Sequence, residues 1–249
     1  MRVVSQESWT AWLRHRTSVM GLLDDSSLAE FRNHRDRVLE GAAIRNGDVL
    51  LDVGCGAGLI GLGALQEAGS QGRLICVDIS EAALKECRQV AGELNLANRC
   101  TFVVASAEDL SVVLSESVDV VATRSVLVHV SRKQAAFAEF FRVLRTGARL
   151  SIGEPVNRFS CPEVVPVERL FARGDNRLPP NSKPAFDFDE RDLLRMIEQA
   201  GFVRIQLDYQ ARVDGDLRLA FAYVNALKQW ACAGGLQSAK VEPTSLSLI

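Results

Sequence analysis

The chain has 249 residues, 47% of them hydrophobic and 24% charged, with 29 Lys and Arg against 31 Asp and Glu and a formal net charge of −2. That balance excludes the broad basic surface that nucleic-acid binding needs, and no apolar run is long enough to span a bilayer. The length predicts a single domain over residues 1–249, with an ample core and room for an inserted segment.

Residues 1–27 carry Trp9, Trp12, Leu13 and Met20-Gly21-Leu22-Leu23. They predict one or two short helices, either packed on the body or forming an N-terminal cover over a ligand cleft. The opening residues lack a signal-peptide core, so a cytoplasmic location is expected. Leu28, Phe31, Val38, Leu39 and Ala42 recur near helical spacing over residues 28–43. Asn46-Gly47-Asp48 is a turn, and Val49–Val53 reads as a first, buried strand. The glycines Gly54, Gly56 and Gly58 follow, and Leu59-Ile60 open a helical pattern. A strand that turns into a helix through glycines leaves backbone N–H groups facing open space, which signals a nucleotide site.

Further strands are predicted at Arg73–Val77 (ending at Asp78), Cys100–Ala105, Val118–Thr123 and Arg149–Gly153. Between them, Ser80 is a plausible N-cap for a helix through Leu94. Ser131-Arg132-Lys133-Gln134 matches a capping box for a helix to about Leu144, which Thr146-Gly147 ends. Strands alternating with helices at this pace predict an α/β fold with a doubly wound parallel sheet, whose ligand sits beyond the carboxyl ends of the strands. Residues 155–186 hold Pro155, Pro162, Pro166, Pro179, Pro180 and Pro184 and read as a lid insertion after strand five. Asp189 caps a helix over Glu190–Ala200 that Gly201 closes. Val203–Tyr209 and Arg218–Val224 read as an antiparallel hairpin around Asp214-Gly215-Asp216. The tail, residues 231–249, loses periodicity and is expected to be loosely ordered. Cys55, Cys76, Cys87, Cys100, Cys161 and Cys232 show no CxxC spacing. They read as reduced buried thiols, with no metal site predicted.

Two frames compete over the glycines. Gly56-Ala57-Gly58-Leu59-Ile60-Gly61 is a literal GxGxxG with Asp78 17 residues after Gly61, which fits a dinucleotide and hence an NAD(P)-dependent reductase. The other frame, Asp52-Val53-Gly54-Cys55-Gly56-Ala57-Gly58, places an acid at the strand's end, where a pyrophosphate would be repelled and a cationic ligand attracted. This second frame resembles motif I of the class I S-adenosylmethionine (SAM)-dependent methyltransferases, in which the loop wraps the methionine part of the cofactor. Cys76-Val77-Asp78-Ile79-Ser80 resembles that family's second motif, whose acid holds the ribose hydroxyls. Ala105-Ser106-Ala107-Glu108-Asp109-Leu110 resembles its adenine loop, with Ser106 where an Asp is usual. Thr123–Val130 matches the segment after strand four, and Phe141–Ala148 resembles the FxRvLrpGG signature with Thr146 for Pro and Ala148 for the second Gly. The resemblance covers roughly residues 28–228 and implies a seven-stranded, mostly parallel sheet with an antiparallel last strand.

The resemblance also implies SAM as cofactor, S-adenosylhomocysteine (SAH) as product, and a cofactor site of Asp52, Gly54, Cys55, Gly56, Asp78, Ile79, Ser106, Ala107, Glu108 and Thr123. For catalysis and acceptor binding, three residues at strand ends stand out. His129 suits a general base at neutral pH, against a packing role on a helix face. Glu154 either meets the acceptor or forms an ion pair with Arg124 or Arg158. Arg124 either binds an anionic acceptor or pairs with Glu154. No DPPY-like run follows strand four, so the resemblance does not extend to amino-methylating DNA enzymes. An arsenic methyltransferase would need cysteines near the lid, where only Cys161 lies. The expected partner is therefore a small, partly apolar organic acceptor, given Phe159, Val164, Val165, Leu170 and Phe171 in the insertion. A SAM-binding protein without turnover remains a further alternative. The oligomeric state is not legible.

Overall fold

The structure, a computed structural model, describes residues 25–156, 187–214 and 217–229. The expected N-terminal cover up to residue 24, the lid from residue 157 and the tail from residue 230 lie outside these residues. Helix α1 (Asp25–Ala42) precedes strand β1 (Val49–Val53), helix α2 (Gly61–Glu67) and strand β2 (Arg73–Asp78). Helix α3 (Glu81–Glu93) leads through a short 3-10 turn to strand β3 (Cys100–Val104). Strand β4 (Val118–Arg124) is followed by a 3-10 turn at Leu127–His129, helix α4 (Lys133–Val143) and strand β5 (Leu144–Pro155). Helix α5 (Glu190–Gln199) then gives way to β6 (Phe202–Asp214) and β7 (Leu217–Lys228).

These strands form one seven-stranded sheet in the order β3-β2-β1-β4-β5-β7-β6. β1 to β5 run parallel, and β7 is antiparallel to both β5 and β6. The order reverses between β1 and β4, so the crevice beyond their carboxyl ends is the expected ligand position. Alternation along each strand divides the apolar residues between two layers. Leu50, Val120 and Tyr223 pack with α1, α2 and α3 residues such as Leu39, Leu65 and Leu84. Leu51, Val121 and Val224 pack with Phe137 and Phe140 of α4 and Leu193 and Ile197 of α5. Each fully buried Leu or Phe contributes roughly 1.5–3 kcal/mol relative to exposure.

Ser80 caps α3, its hydroxyl accepting from the Ala83 N–H. Asp189 caps α5 in a reciprocal capping box with Asp192, and Gly201 closes that helix at φ +100.

Two local expectations need correction. The Ser131 capping box does not form: Arg132 occupies the N-cap of α4, and its side chain makes no capping bond to the helix. The acceptor arrives from another part of the chain, since Glu108 accepts from the Arg132 N–H at 2.9 Å and from its Nε at 2.8 Å. A carboxylate at a helix N-terminus also suits the helix dipole. The fifth strand begins at Leu144, not Arg149, because buried Leu144 pairs with Val118 directly after the helix. Thr146-Gly147 is a bulge inside the strand instead of the helix's end, and Gly147 takes the left-handed conformation (φ +79) that it requires.

Candidate active site

The parallel register aligns Val53 with Val77 on one side and with Thr123 on the other, and Thr123 with Ile152. The glycine loop, Asp78, Arg124 and Glu154 therefore emerge at one edge of the sheet.

Gly54, Gly56 and Gly58 all have positive φ (+67, +52 and +87). A Cβ on Gly54 would collide with the Val126 side chain, and one on Gly58 would meet Cys87 Sγ at 2.8 Å. A Cβ on Gly56 would meet nothing within 4 Å, so this glycine borders open space. The N–H groups of Gly54 and Cys55 donate to the Val77 carbonyl, fixing the loop on β2.

Asp78 stands at the end of β2. One carboxylate oxygen accepts from the Gly56 N–H and the other from the Ser80 N–H, both at 2.9 Å. Each oxygen keeps a lone pair for a further donor, so the carboxylate is held ready for a vicinal diol. Ile79, next in the chain, is 74% exposed and offers a flat apolar surface beside it. Ala105, Ser106 and Ala107 follow β3. The Ser106 hydroxyl accepts from the Glu108 N–H at 3.1 Å. Glu108 faces Arg132, and that contact holds its carboxyl below the usual range. Glu108 thus joins the adenine-loop segment to the start of α4.

Asp52 is 2% exposed, and its carboxylate accepts from the Gly61 N–H at 2.7 Å. Burial pushes its pKa up to about 8, against the lowering effect of the Gly61 hydrogen bond. Gly61 is required for this close approach, because a Cβ there would meet Asp52 Oδ2 at 2.7 Å and Leu74 at 2.9 Å. A carboxylate therefore occupies the start of α2, the place a pyrophosphate takes in the GxGxxG reading.

After β4 the chain turns sharply at Ser125, a non-glycine residue at φ +55. Its N–H donates to the Gly153 carbonyl. The turn aims the N–H groups of Val126 and Val128 at the Glu154 carboxylate, at 2.8 and 3.4 Å, and the Leu127 amide faces it too. Glu154 is fully buried. Burial raises its pKa to about 7 from an ordinary 4.5, and the three amides and Arg124 pull the other way. The Glu154 carboxylate is thus taken up by the backbone. Arg124 is the charged side chain whose field reaches it. Glu154 fixes the segment that carries Val126 over Gly54 and His129 at an exposed position on the 3-10 turn. Thr123, at the same edge, is 0% exposed, and its hydroxyl has no hydrogen-bond partner among the described residues.

Sequence reasoning missed a second polar pair at this end of the sheet. His34 on α1 is buried, with its Nδ1 against the Tyr223 hydroxyl and its ring 4.0 Å from that of Phe221. Nothing local distinguishes His34, because the pairing spans 189 positions.

A family described as "methyltransferase domain" matches residues 44–201. An arsenite methyltransferase from Halobacterium salinarum is 31% identical over 166 residues, covering 67% of this chain and 40% of that protein. The ubiquinone/menaquinone biosynthesis C-methyltransferase UbiE of a Marinomonas species is 27% identical over 179 residues, covering 66% of this chain and 69% of the relative. The match thus spans well under half the length of the first of these proteins and about two thirds of the second. Among solved structures, a geranyl diphosphate methyltransferase in complex with SAM shares the fold at TM-score 0.59 and 19% identity, over 78% of this chain and 84% of that one.

Proposed function

The chain belongs to the class I SAM-dependent methyltransferase family, and from that premise we propose that it transfers the methyl group of SAM to a small organic acceptor over the carboxyl ends of β4 and β5. The observation that carries this reading is the Asp78 carboxylate, held by two backbone N–H groups beside the open face of Gly56. The residues present suit SAM: an acid for the ribose diol, exposed Ile79 for the adenine face and a buried acid, Asp52, behind the loop for the cationic methionine end. The orphaned Thr123 hydroxyl supplies a polar atom at the same edge. When bound, SAM supplies a methyl group on a sulfonium, displaced in line with a neutral thioether as leaving group.

This chain's residues then have to position the acceptor and exclude water, and a base matters only where the acceptor must lose a proton. His129 is the group we assign to that proton. It sits on a turn anchored by Glu154, with its backbone N–H donating to the Val126 carbonyl. Glu154 is reassigned from catalysis to positioning. Arg124, at the end of β4, lies on the side from which an anionic acceptor group would approach. The four described cysteines pack with α2 and α3 behind the sheet, whereas Leu127 and Val128 belong to the opposite layer. An organic acceptor therefore suits the described residues better than a thiol-bound one.

Thermal denaturation with SAH, SAM and NADH separates the methyltransferase from the reductase reading. SAH at 100 times its dissociation constant is expected to stabilise the fold by about 2.7 kcal/mol, with no shift from NADH. Stabilisation by NADH alone would overturn the proposal. Replacing His129 with alanine is expected to lower kcat on the order of 100-fold while SAM affinity stays within about twofold, the signature of a base that does not hold the cofactor. An unchanged kcat removes His129 from the mechanism.

A further inference from the structure

Three cysteines that are scattered in sequence meet beneath the glycine loop. Cys55 belongs to the loop itself, Cys76 lies on β2 opposite Asp52 of β1, and Cys87 is on the buried face of α3. Their Sγ atoms all lie within 4.8 Å of one another, and those of Cys76 and Cys87 are 3.7 Å apart. Exposures are 6%, 0% and 0%, and none of the three is in a disulfide. Among the described residues no His, Asp or Glu side chain joins the group, so the side-chain donor set is sulfur only. Such a set selects soft ions. Around a cation with metal–sulfur bonds near 2.3 Å, thiolates stand about 3.8 Å apart, which is already the Cys76–Cys87 separation.

We propose that Cys55, Cys76 and Cys87 bind one soft, closed-shell divalent cation as a trithiolate, and that its occupancy opposes binding of SAM and SAH. The second half rests on the cofactor reading above; the first does not. Cys76 and Cys87 sit on a strand and a helix, so Cys55 is the sulfur that moves to close the triangle. Its neighbours Gly54 and Gly56 give the loop the backbone freedom for that movement, and the displacement is inward, away from the ligand crevice. The Cys87 sulfur also lies directly under Gly58, so a loaded ion fixes the loop from two sides. An ordinary thiol has a pKa of about 8.5, so the empty site holds neutral thiols at pH 7. Loading breaks three S–H bonds, forms three metal–sulfur bonds and releases three protons to solvent, with no change of oxidation state.

The test uses the full chain, a thiol-free reductant and Cd2+ alone. One ion is expected per chain, with an ultraviolet thiolate-to-cadmium absorption band. Three protons are expected per ion, counted by calorimetry in buffers of different ionisation enthalpy. SAH affinity is expected to fall about tenfold at saturating Cd2+, and Cd2+ affinity to fall by the same factor with SAH. Cys76→Ala and Cys87→Ala should each lose the band and the antagonism while binding SAH as the unaltered chain does. Release of fewer than two protons, or a band that persists in both variants, overturns the site. If neither variant folds, the proton count and the band on the unaltered chain still decide. SAH affinity indifferent to Cd2+ overturns the antagonism. Failure of SAH to bind the metal-free chain counts against the cofactor reading, and the metal site then stands or falls on the band and the proton count alone.

Discussion

Asp78→Ala is expected to weaken SAH binding by about 4 kcal/mol, on the order of 1000-fold, because two charge-assisted hydrogen bonds to a ribose diol are lost together. The structure adds a second reason for a loss of that size. The same carboxylate holds the Gly56 N–H and the Ser80 N–H, so its removal also frees the middle of the glycine loop and the start of α3. Both amides sit in partly exposed surroundings where water replaces the carboxylate, so the cost to stability should stay near 1 kcal/mol. Asp78→Asn keeps one acceptor oxygen and is expected to lose only about tenfold. Titration calorimetry with SAH, with thermal denaturation as the control for folding, reads both effects. An affinity within threefold of the unaltered chain would mean that the ribose lies elsewhere.

What the sequence discloses and what it conceals divide along the range of the interactions. β1 is legible to the residue, because an apolar run bounded by Asp48 and Gly54 has few alternatives. So are the Ser80 and Asp189 caps, whose partners lie within three residues. Gly61 is legible as a packing glycine once Asp52 is read as an acid at the strand's end, and the structure brings the two together. The cap of α4 is not, because Ser131 matches a local pattern while the actual acceptor, Glu108, stands 24 positions from Arg132. Glu154 stands out in the sequence as a residue but not as a role. A glutamate after a strand is equally consistent with a substrate contact and with a bond to backbone amides, and the left-handed turn at Ser125 that brings the amides to it has no local signal in the sequence. The spacing of the cysteines gives no sign of their convergence, which depends on the β1–β2 register and on which face of α3 is buried. No spacing rule encodes that.

Glu154→Ala is expected to destabilise the fold by about 4 kcal/mol, since it leaves backbone amides of residues 126–128 unpaired in the interior. Glu154→Gln separates the hydrogen bonds from the charge. The Glu154 pKa lies at about 7 in the folded chain, raised from 4.5 chiefly by burial. The unfolded chain therefore binds fewer protons between those values, and stability must fall as pH rises through that window. The Glu154 contribution is complete below the unfolded pKa and lost by about pH 7, a change of roughly 3 kcal/mol. Glutamine cannot titrate. The destabilisation caused by Glu154→Gln should accordingly be largest below pH 4.5 and shrink by about 2.5 kcal/mol between pH 5 and pH 8. Asp52 shifts in the same direction, with a pKa of about 8, but it is common to both proteins and cancels in their difference. Denaturant unfolding at pH 5, 6, 7 and 8 supplies the comparison. A difference that stays flat across the range would place the carboxylate in contact with solvent or with a permanent cation, and would return Glu154 from positioning the Val126–His129 segment to a direct part in acceptor binding.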